Sequence, residues 1–290
     1  MEKVKYSTIL LEYLQKEKGI QSKTKIRSLL GYGAIKVNGV PANRIDSVLN
    51  AGDELEIVKP PQKFKATQKP LFPVLFEDEW YIAVDKPAGL LSAGEVSAKT
   101  DTALKAVTAY IKESSRGKQR AHIVHRLDKE VSGILVIAKT EEAMQRLKDN
   151  WQDTEKLYYA LVEGHPALDE GIIRSWLKEY KEKIFSVKES ADAKLAITHY
   201  RVIKKYPLHT LLEVKLETGR KNQIRVHLSD LKCPIVGDYK YGADKEFVRR
   251  IRLHAFSFGF FHPYTKKQVI ITSPMPKKFI SLKPADEKYK

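Results

Sequence analysis

The segment Ile134-Leu135-Val136-Ile137-Ala138 sets the tightest limit on what this chain can fold into. It is a continuous apolar run, rich in β-branched residues, with no polar residue at alternate positions. Such a run reads as a strand covered on both faces. A strand of that kind needs a layer on each side and therefore a domain of strands and helices of some size. At 290 residues the chain also exceeds the length at which one core usually stops growing, so a small domain plus a large one is expected. A hydrophobic fraction of 42% is enough for real cores.

Residues 1–60 read as a compact helix-helix-hairpin unit. Ile9, Leu10, Tyr13 and Leu14 recur at helical spacing, with Gly19 as the stop. Ser22 can cap a second helix whose apolar face is Ile26, Leu29 and Leu30, and Gly31 with Gly33 end it. Asn38-Gly39, set between β-formers, is a strong hairpin signal, and Asp53–Val58 alternates like a half-buried strand. Lys23, Lys25 and Arg27 gather near one end of the second helix. They are candidates for gripping phosphates, although a solvated helix face would look the same.

Residues 61–72, with Pro61 and Pro70 among Lys and Gln and Pro60 just before them, read as an extended linker. From residue 73 to 290 the texture becomes strands and helices in mixed order. Trp80–Asp85 is strand-like and Lys86-Pro87-Ala88-Gly89 turns out of it. Thr140 can cap a helix that places Met144, Leu147 and Trp151 on one face, with Glu141 and Glu142 at its positive end. Leu157–Val162 is a further strand. Leu212, Val214 and Leu216 alternate with Glu213, Lys215 and Glu217 as in a strand with one wet face.

The 52 Lys and Arg outweigh 36 Asp and Glu, for a net charge of +16 and a pI near 9.6. That balance favours a polyanionic partner, though by itself it does not separate RNA from DNA, from an anionic membrane surface, or from a merely soluble basic protein. One cysteine, Cys233, excludes an internal disulfide and fits a reducing compartment. The first residues lack the apolar core of a signal peptide, and no run reaches the ~18 apolar residues of a membrane span. A cytoplasmic location is expected, with no membrane association, no obligate protein partner and a monomer as the default.

Four stretches place chemically able residues at turns beside these elements. The first is His125-Arg126-Leu127-Asp128, just ahead of the apolar strand, where Arg126 and Asp128 are two apart and share a side of an extended backbone. A carboxylate beside a guanidinium suits a nucleophile or base, and equally a structural ion pair or turn cap. The second is Lys156-Leu157-Tyr158, where Tyr158 can stack on a base or serve as a core tyrosine. The third is Thr218-Gly219-Arg220-Lys221-Asn222-Gln223-Ile224-Arg225-Val226-His227. Here Asn222 can cap a helix with Arg225 in its first turn. A cation there opposes the helix dipole, so a nearby anion is required: Asp128, a phosphate, or each at a different stage. The fourth runs from Pro234 to Asp238, then Tyr241-Gly242, Arg252–Ala255 and His262-Pro263.

In this order the residues resemble the RluA-type pseudouridine synthases, over roughly residues 74–277, and residues 5–58 resemble an S4-like RNA-binding domain. The resemblance implies an α+β fold, with a large, mixed, mainly antiparallel sheet in the catalytic domain beside a small N-terminal helix-helix-hairpin domain. Val131 stands where such enzymes often have Thr, and Asn222 where His is common. It further implies Asp128 as the nucleophile, Tyr158 packed on the target uracil and available for proton removal from carbon 5, and Arg225 paired with Asp128. Arg126 would fill the gap left by the extruded base, with His125 and Arg220 beside it on the RNA. Extrusion is needed because the glycosidic bond of a stacked uridine is out of reach. The implied partner is RNA, ribosomal before transfer RNA, and no metal, nucleotide or redox cofactor is implied.

Other chemistries find little footing. His122 and His125 have no further Cys or His to complete a zinc site. There is no P-loop, no Gly-x-Gly-x-x-Gly after a strand and no Gly-x-Ser-x-Gly elbow. The competing reading from another class is a non-catalytic RNA-binding protein or ribosome assembly factor on a synthase scaffold.

Overall fold

The computed structural model describes residues 2–31, 35–42, 44–57, 72–94, 101–244, 248 and 250–282. It divides into two compact units, Met1–Ala66 and Thr67–Lys290. Gly33 and the prolines at 60, 61 and 70 lie outside the described residues. Phe72 does not belong to a linker: its ring is buried in the core of the second unit against Ile82 and Val84.

In the first unit the elements are β1 (Glu2–Lys3), β2 (Thr8–Ile9), α1 (Leu10–Lys16), α2 (Lys23–Gly31), β3 (Ile35–Val37), β4 (Val40–Pro41), β5 (Val48–Leu49) and β6 (Glu54–Ile57). The Ser22 hydroxyl accepts from the Lys25 N–H at 3.3 Å, capping α2. Asn38 (φ 50°) and Gly39 (φ 78°) are both left-handed, as a type I′ hairpin turn between β3 and β4 requires. A four-stranded sheet in the order β1-β6-β3-β4 and a separate β2-β5 pair enclose a core of Leu10, Tyr13, Leu14, Ile26, Ile35 and Leu55. Ile9 is extended and precedes α1 rather than lying in it.

The second unit contains β7 (Val74–Glu77), β8 (Tyr81–Lys86), α3 (Ala103–Ser114), β9 (His122–Ile123), β10 (Ser132–Ala138), α4 (Glu141–Asp149), β11 (Glu155–Glu163), β12 (Glu170–Tyr180), β13 (Lys183–Val187), β14 (Lys194–Lys205), β15 (His209–Leu216), α5 (Gln223–Asp230), β16 (Leu253–Phe261) and β17 (Gln268–Thr272). Its sheet runs β13-β12-β14-β15-β11-β16-β10-β8-β7, with β17 beside β16 and β9 beside β10. Among the described residues β10 and β16 form a parallel pair, and the other strand pairs of this sheet are antiparallel.

β10 is buried at every position. Ile134, Val136 and Ala138 face Ala143 and Leu147 of α4, while Leu135 and Ile137 face Val107 and Ile111 of α3. Each face thus has its own layer, and each fully buried Leu, Ile or Val is worth roughly 1.5–3 kcal/mol against exposure. Thr140 caps α4 by accepting from the Ala143 N–H at 3.1 Å. Gly133, at φ 114°, lets β10 approach β16: a Cβ there would stand 2.2 Å from the Ala255 carbonyl oxygen. Cys233 is buried, and among the described residues no helix is long and apolar enough to cross a membrane.

Candidate active site

An open cleft of ≈ 1200 Å³ lies where the segment before β10, one face of β11 and the start of α5 converge. The first wall is the segment from Val124 to Val131. Its backbone is pinned from behind. The Ser92 hydroxyl donates to the Leu127 carbonyl at 2.7 Å and accepts from the Leu127 N–H at 3.0 Å. Lys86, fully buried, donates to the carbonyls of Pro87 (3.0 Å), Leu90 (2.7 Å) and Lys129 (3.2 Å). Burial pushes its ammonium down to about 8, opposed by the charges of Glu130 and Asp128. With Leu127 and Val131 buried, the Asp128 side chain, 32% exposed, is left pointing into the cleft. Neither Ser92 nor Lys86 carries a sequence signal that would have tied it to Asp128.

The second wall is α5. Arg225 stands in its first turn, where a cation opposes the helix dipole, and two carboxylates answer it. Asp238, fully buried, accepts from Nε at 2.6 Å and from Nη2 at 2.8 Å. Asp128 accepts from Nη1 at 3.2 Å. Burial alone would lower the guanidinium, but the hydrogen bonds and charge of Asp238, with Asp128 behind them, raise it instead. The Tyr241 ring covers the guanidinium at 5.0 Å. Asn222 does not cap α5 with its side chain. It sits at φ 56°; its Oδ1 accepts from Arg225 Nη1 at 3.1 Å and its Nδ2 donates to the Tyr241 hydroxyl at 2.9 Å. The Asn222 amide is thus spent on Arg225 and Tyr241, and the turn before α5 is tied instead by Gln223, whose Oε1 accepts from Thr218 Oγ1 and the Arg220 N–H. Asp238 is the residue the sequence reading missed as a partner. It stands in an apolar-Gly turn 13 residues beyond Arg225, and no periodicity links the two.

The floor is β11. Tyr158 is buried except for the part lining the cleft, and burial, then the Asp128 charge, raises its phenol. Arg126 and Arg220 are exposed at the cleft, the latter donating through Nε to the Leu195 carbonyl at 3.0 Å. His125 also borders the cleft, with its ring held from behind. Its Nε2 accepts the Val136 N–H at 3.0 Å and its ring stacks on Phe258 at 5.4 Å. Burial, with the Lys156 charge in the same direction, lowers it to about 3, which favours the neutral ring. Asp128, Tyr158, Arg225, Arg126 and Arg220 thus share one cleft. Lys23, Lys25 and Arg27 are exposed on α2 of the first unit, where Lys23 and Arg27, four apart, share a helix face. Among the described residues no group of three His, Cys, Asp or Glu is placed to hold a metal ion.

The sequence profile of the family described as RNA pseudouridylate synthase matches residues 80–230. An uncharacterized RNA pseudouridine synthase of Mycobacterium bovis is 34% identical over 88% of this chain and 87% of its own length. A ribosomal large subunit pseudouridine synthase D of Neisseria meningitidis serogroup B is 31% identical over 88% of this chain and 72% of its own. Among solved structures, human RNA pseudouridylate synthase domain containing 4 matches with a TM-score of 0.59 over 71% of this chain and 90% of that one, at 24% identity, a likeness of fold. The profile spans more than half of the chain and the relatives span most of it, so the chain belongs to the RNA pseudouridylate synthases, as an RNA-modifying enzyme of the RluA type.

Proposed function

We propose that the enzyme converts specific uridines of large-subunit ribosomal RNA to pseudouridine, with Asp128 as the nucleophile. The observation that carries this reading is the chain Asp238–Arg225–Asp128, in which a buried carboxylate grips the guanidinium with two short bonds and the guanidinium offers a single longer one to the carboxylate in the cleft. Asp128 is positioned by a cation yet keeps one oxygen out of that contact, as attack requires. A protein that only bound RNA would gain nothing from burying so costly a group of charges beside an open cleft. Relatives named for the large ribosomal subunit support the substrate class.

In this reading the target uridine leaves its helix and enters the cleft, and unstacking costs a few kcal/mol. Arg126, exposed at the rim, occupies the vacated place, and Arg220 meets the backbone. The bond between ribose carbon 1′ and base nitrogen 1 breaks with Asp128 assisting, the uracil turns in place, and carbon 5 joins carbon 1′. The proton lost from carbon 5 is matched by one gained at nitrogen 1, so the product is an isomer. Tyr158 supplies a packing surface and a neutral hydroxyl. Its raised phenol works against tyrosinate as the base for carbon 5. The first unit, in the same reading, is an S4-like RNA-binding domain that adds phosphate contacts through Lys23, Lys25 and Arg27.

Asp128→Asn tests this directly. Pseudouridine formation should fall below detection while the protein stays folded and binds RNA to within about threefold, since one cleft carboxylate adds nothing to phosphate contacts. Pseudouridine maps of ribosomal and transfer RNA from wild-type and mutant cells read the outcome. Identical maps would remove Asp128 from the chemistry.

A further inference from the structure

Among the described residues of the second unit three lysines are buried, and two of them have a carboxylate or several carbonyls as partners. Lys86 meets three carbonyls, and Lys139 pairs with Glu77 at 2.7 Å and also donates to the Asp78 carbonyl. Lys156 differs. Its residue is 6% exposed, its Nζ donates to Thr154 Oγ1 at 2.8 Å and lies over the Trp151 ring at 4.9 Å, and among the described residues no carboxylate pairs with it. An ammonium has three donors, and here the protein answers one of them with an oxygen. A buried, unpaired cation is strongly unfavourable unless a partner arrives from outside. Burial pushes the ammonium down to about 8, and no carboxylate opposes the shift.

The place of Lys156 suggests the partner. It borders the same cleft as Asp128, and it faces the same side of β11 as Tyr158, two residues along. That separation is about 6.8 Å of strand, comparable with the reach from a base to its own phosphate. Arg126 and Lys148 border the cleft as further cations. Of the acidic side chains that also border it, Asp128 and Glu130 belong to the segment before β10, and Glu179 and Glu182 come from the β12–β13 hairpin, three strands from β11 in the sheet.

We propose that Lys156 is a phosphate-binding residue whose ammonium is completed by a phosphodiester oxygen of the RNA strand when the target nucleotide lies against Tyr158. The inference rests on the reading of this cleft as the site that receives a flipped uridine, and it makes the cleft a two-point receptor with the ring for the base and the ammonium for the backbone.

The test is equilibrium binding of unmodified large-subunit ribosomal RNA, transcribed in vitro, to full-length protein in the Asp128→Asn background, so that turnover plays no part. Adding Lys156→Met should weaken binding about fivefold at low salt and make the slope of log affinity against log salt shallower by roughly 0.7–0.9, the value of one phosphate contact. Lys156→Arg should restore the slope. The thermal midpoint of the free Lys156→Met protein should equal or exceed that of its parent, because the methionine relieves an unpaired buried charge. An unchanged slope, or a Lys156→Met protein that is less stable or unfolded, overturns the proposal by making the ammonium a structural group. Failure of the wider reading would show separately, as wild-type protein that forms no pseudouridine in the same RNA.

Discussion

Arg225 divides its donors unequally between two carboxylates, and that inequality is what the site is built on. Asp238, buried, takes the bidentate grip, so Asp128 is held by one 3.2 Å bond and keeps an oxygen in reserve. A buried pair broken on one side costs about 3–5 kcal/mol, because the remaining charge is left without compensation. Asp238→Asn should therefore lower stability in urea by roughly that amount, whereas Asp128→Asn, at a partly exposed position, should cost less than about 1 kcal/mol. Equal stabilities for the two variants would mean that α5 rather than Asp238 holds the guanidinium. Asp128 and Arg225 were both legible as candidates from their motifs, since uncommon residues sat together at turns. Asp238 and Lys156 stood in such stretches too, but nothing in the sequence marked the one as the partner of Arg225 or the other as short of acceptors. A salt-bridge partner or a missing acceptor is a property of space around an atom, and neither leaves a period or spacing in the chain.

At the scale of elements, α5 is unusual in having Gln223 through Leu228 all buried, so the ordinary wet face of a surface helix is absent. Its polar side chains are answered from the sheet. Gln223 Nε2 donates to the Ile197 carbonyl and Thr198 Oγ1, and His227 bridges Thr198 Oγ1 at 2.8 Å and Ser175 Oγ at 2.9 Å. Burial, with Asp230 opposing, lowers His227 from 6.5 to about 4. The folded ring stays neutral where the unfolded one protonates. Its contribution is therefore complete above pH 6.5 and is lost as pH falls towards 4, at up to about 1.4 kcal/mol per pH unit. Denaturation between pH 4 and 7 should give a pH slope shallower by close to one proton in His227→Gln than in wild type. A parallel slope would show that the folded ring takes up its proton at the same pH as the unfolded one.

For the whole molecule the net charge of +16 matters most, because it sets how strongly any RNA is attracted before a base is read. If Lys23, Lys25 and Arg27 each meet a phosphate, removing residues 1–60 should weaken RNA binding and reduce the salt slope by up to about 2–3 units. Unaltered affinity and slope would assign that unit another task. What the sequence determined alone was local: the doubly covered strand at Ile134–Ala138, the caps at Ser22 and Thr140, the Asn38-Gly39 turn, and an order of motifs specific enough to indicate the enzyme family. Period and cap chemistry act over a few residues, so they can be read along the chain. Tertiary structure decided the rest. It gave Arg225 the buried Asp238 as a second carboxylate, turned His125 inward as an acceptor for β10, spent Asn222 on the guanidinium instead of the helix, and left Lys156 one acceptor at the wall of the cleft. Those outcomes depend on which strands become neighbours in a sheet where β16 lies between β11 and β10, and burial, which gives each charge its consequence, exists only once that order has formed.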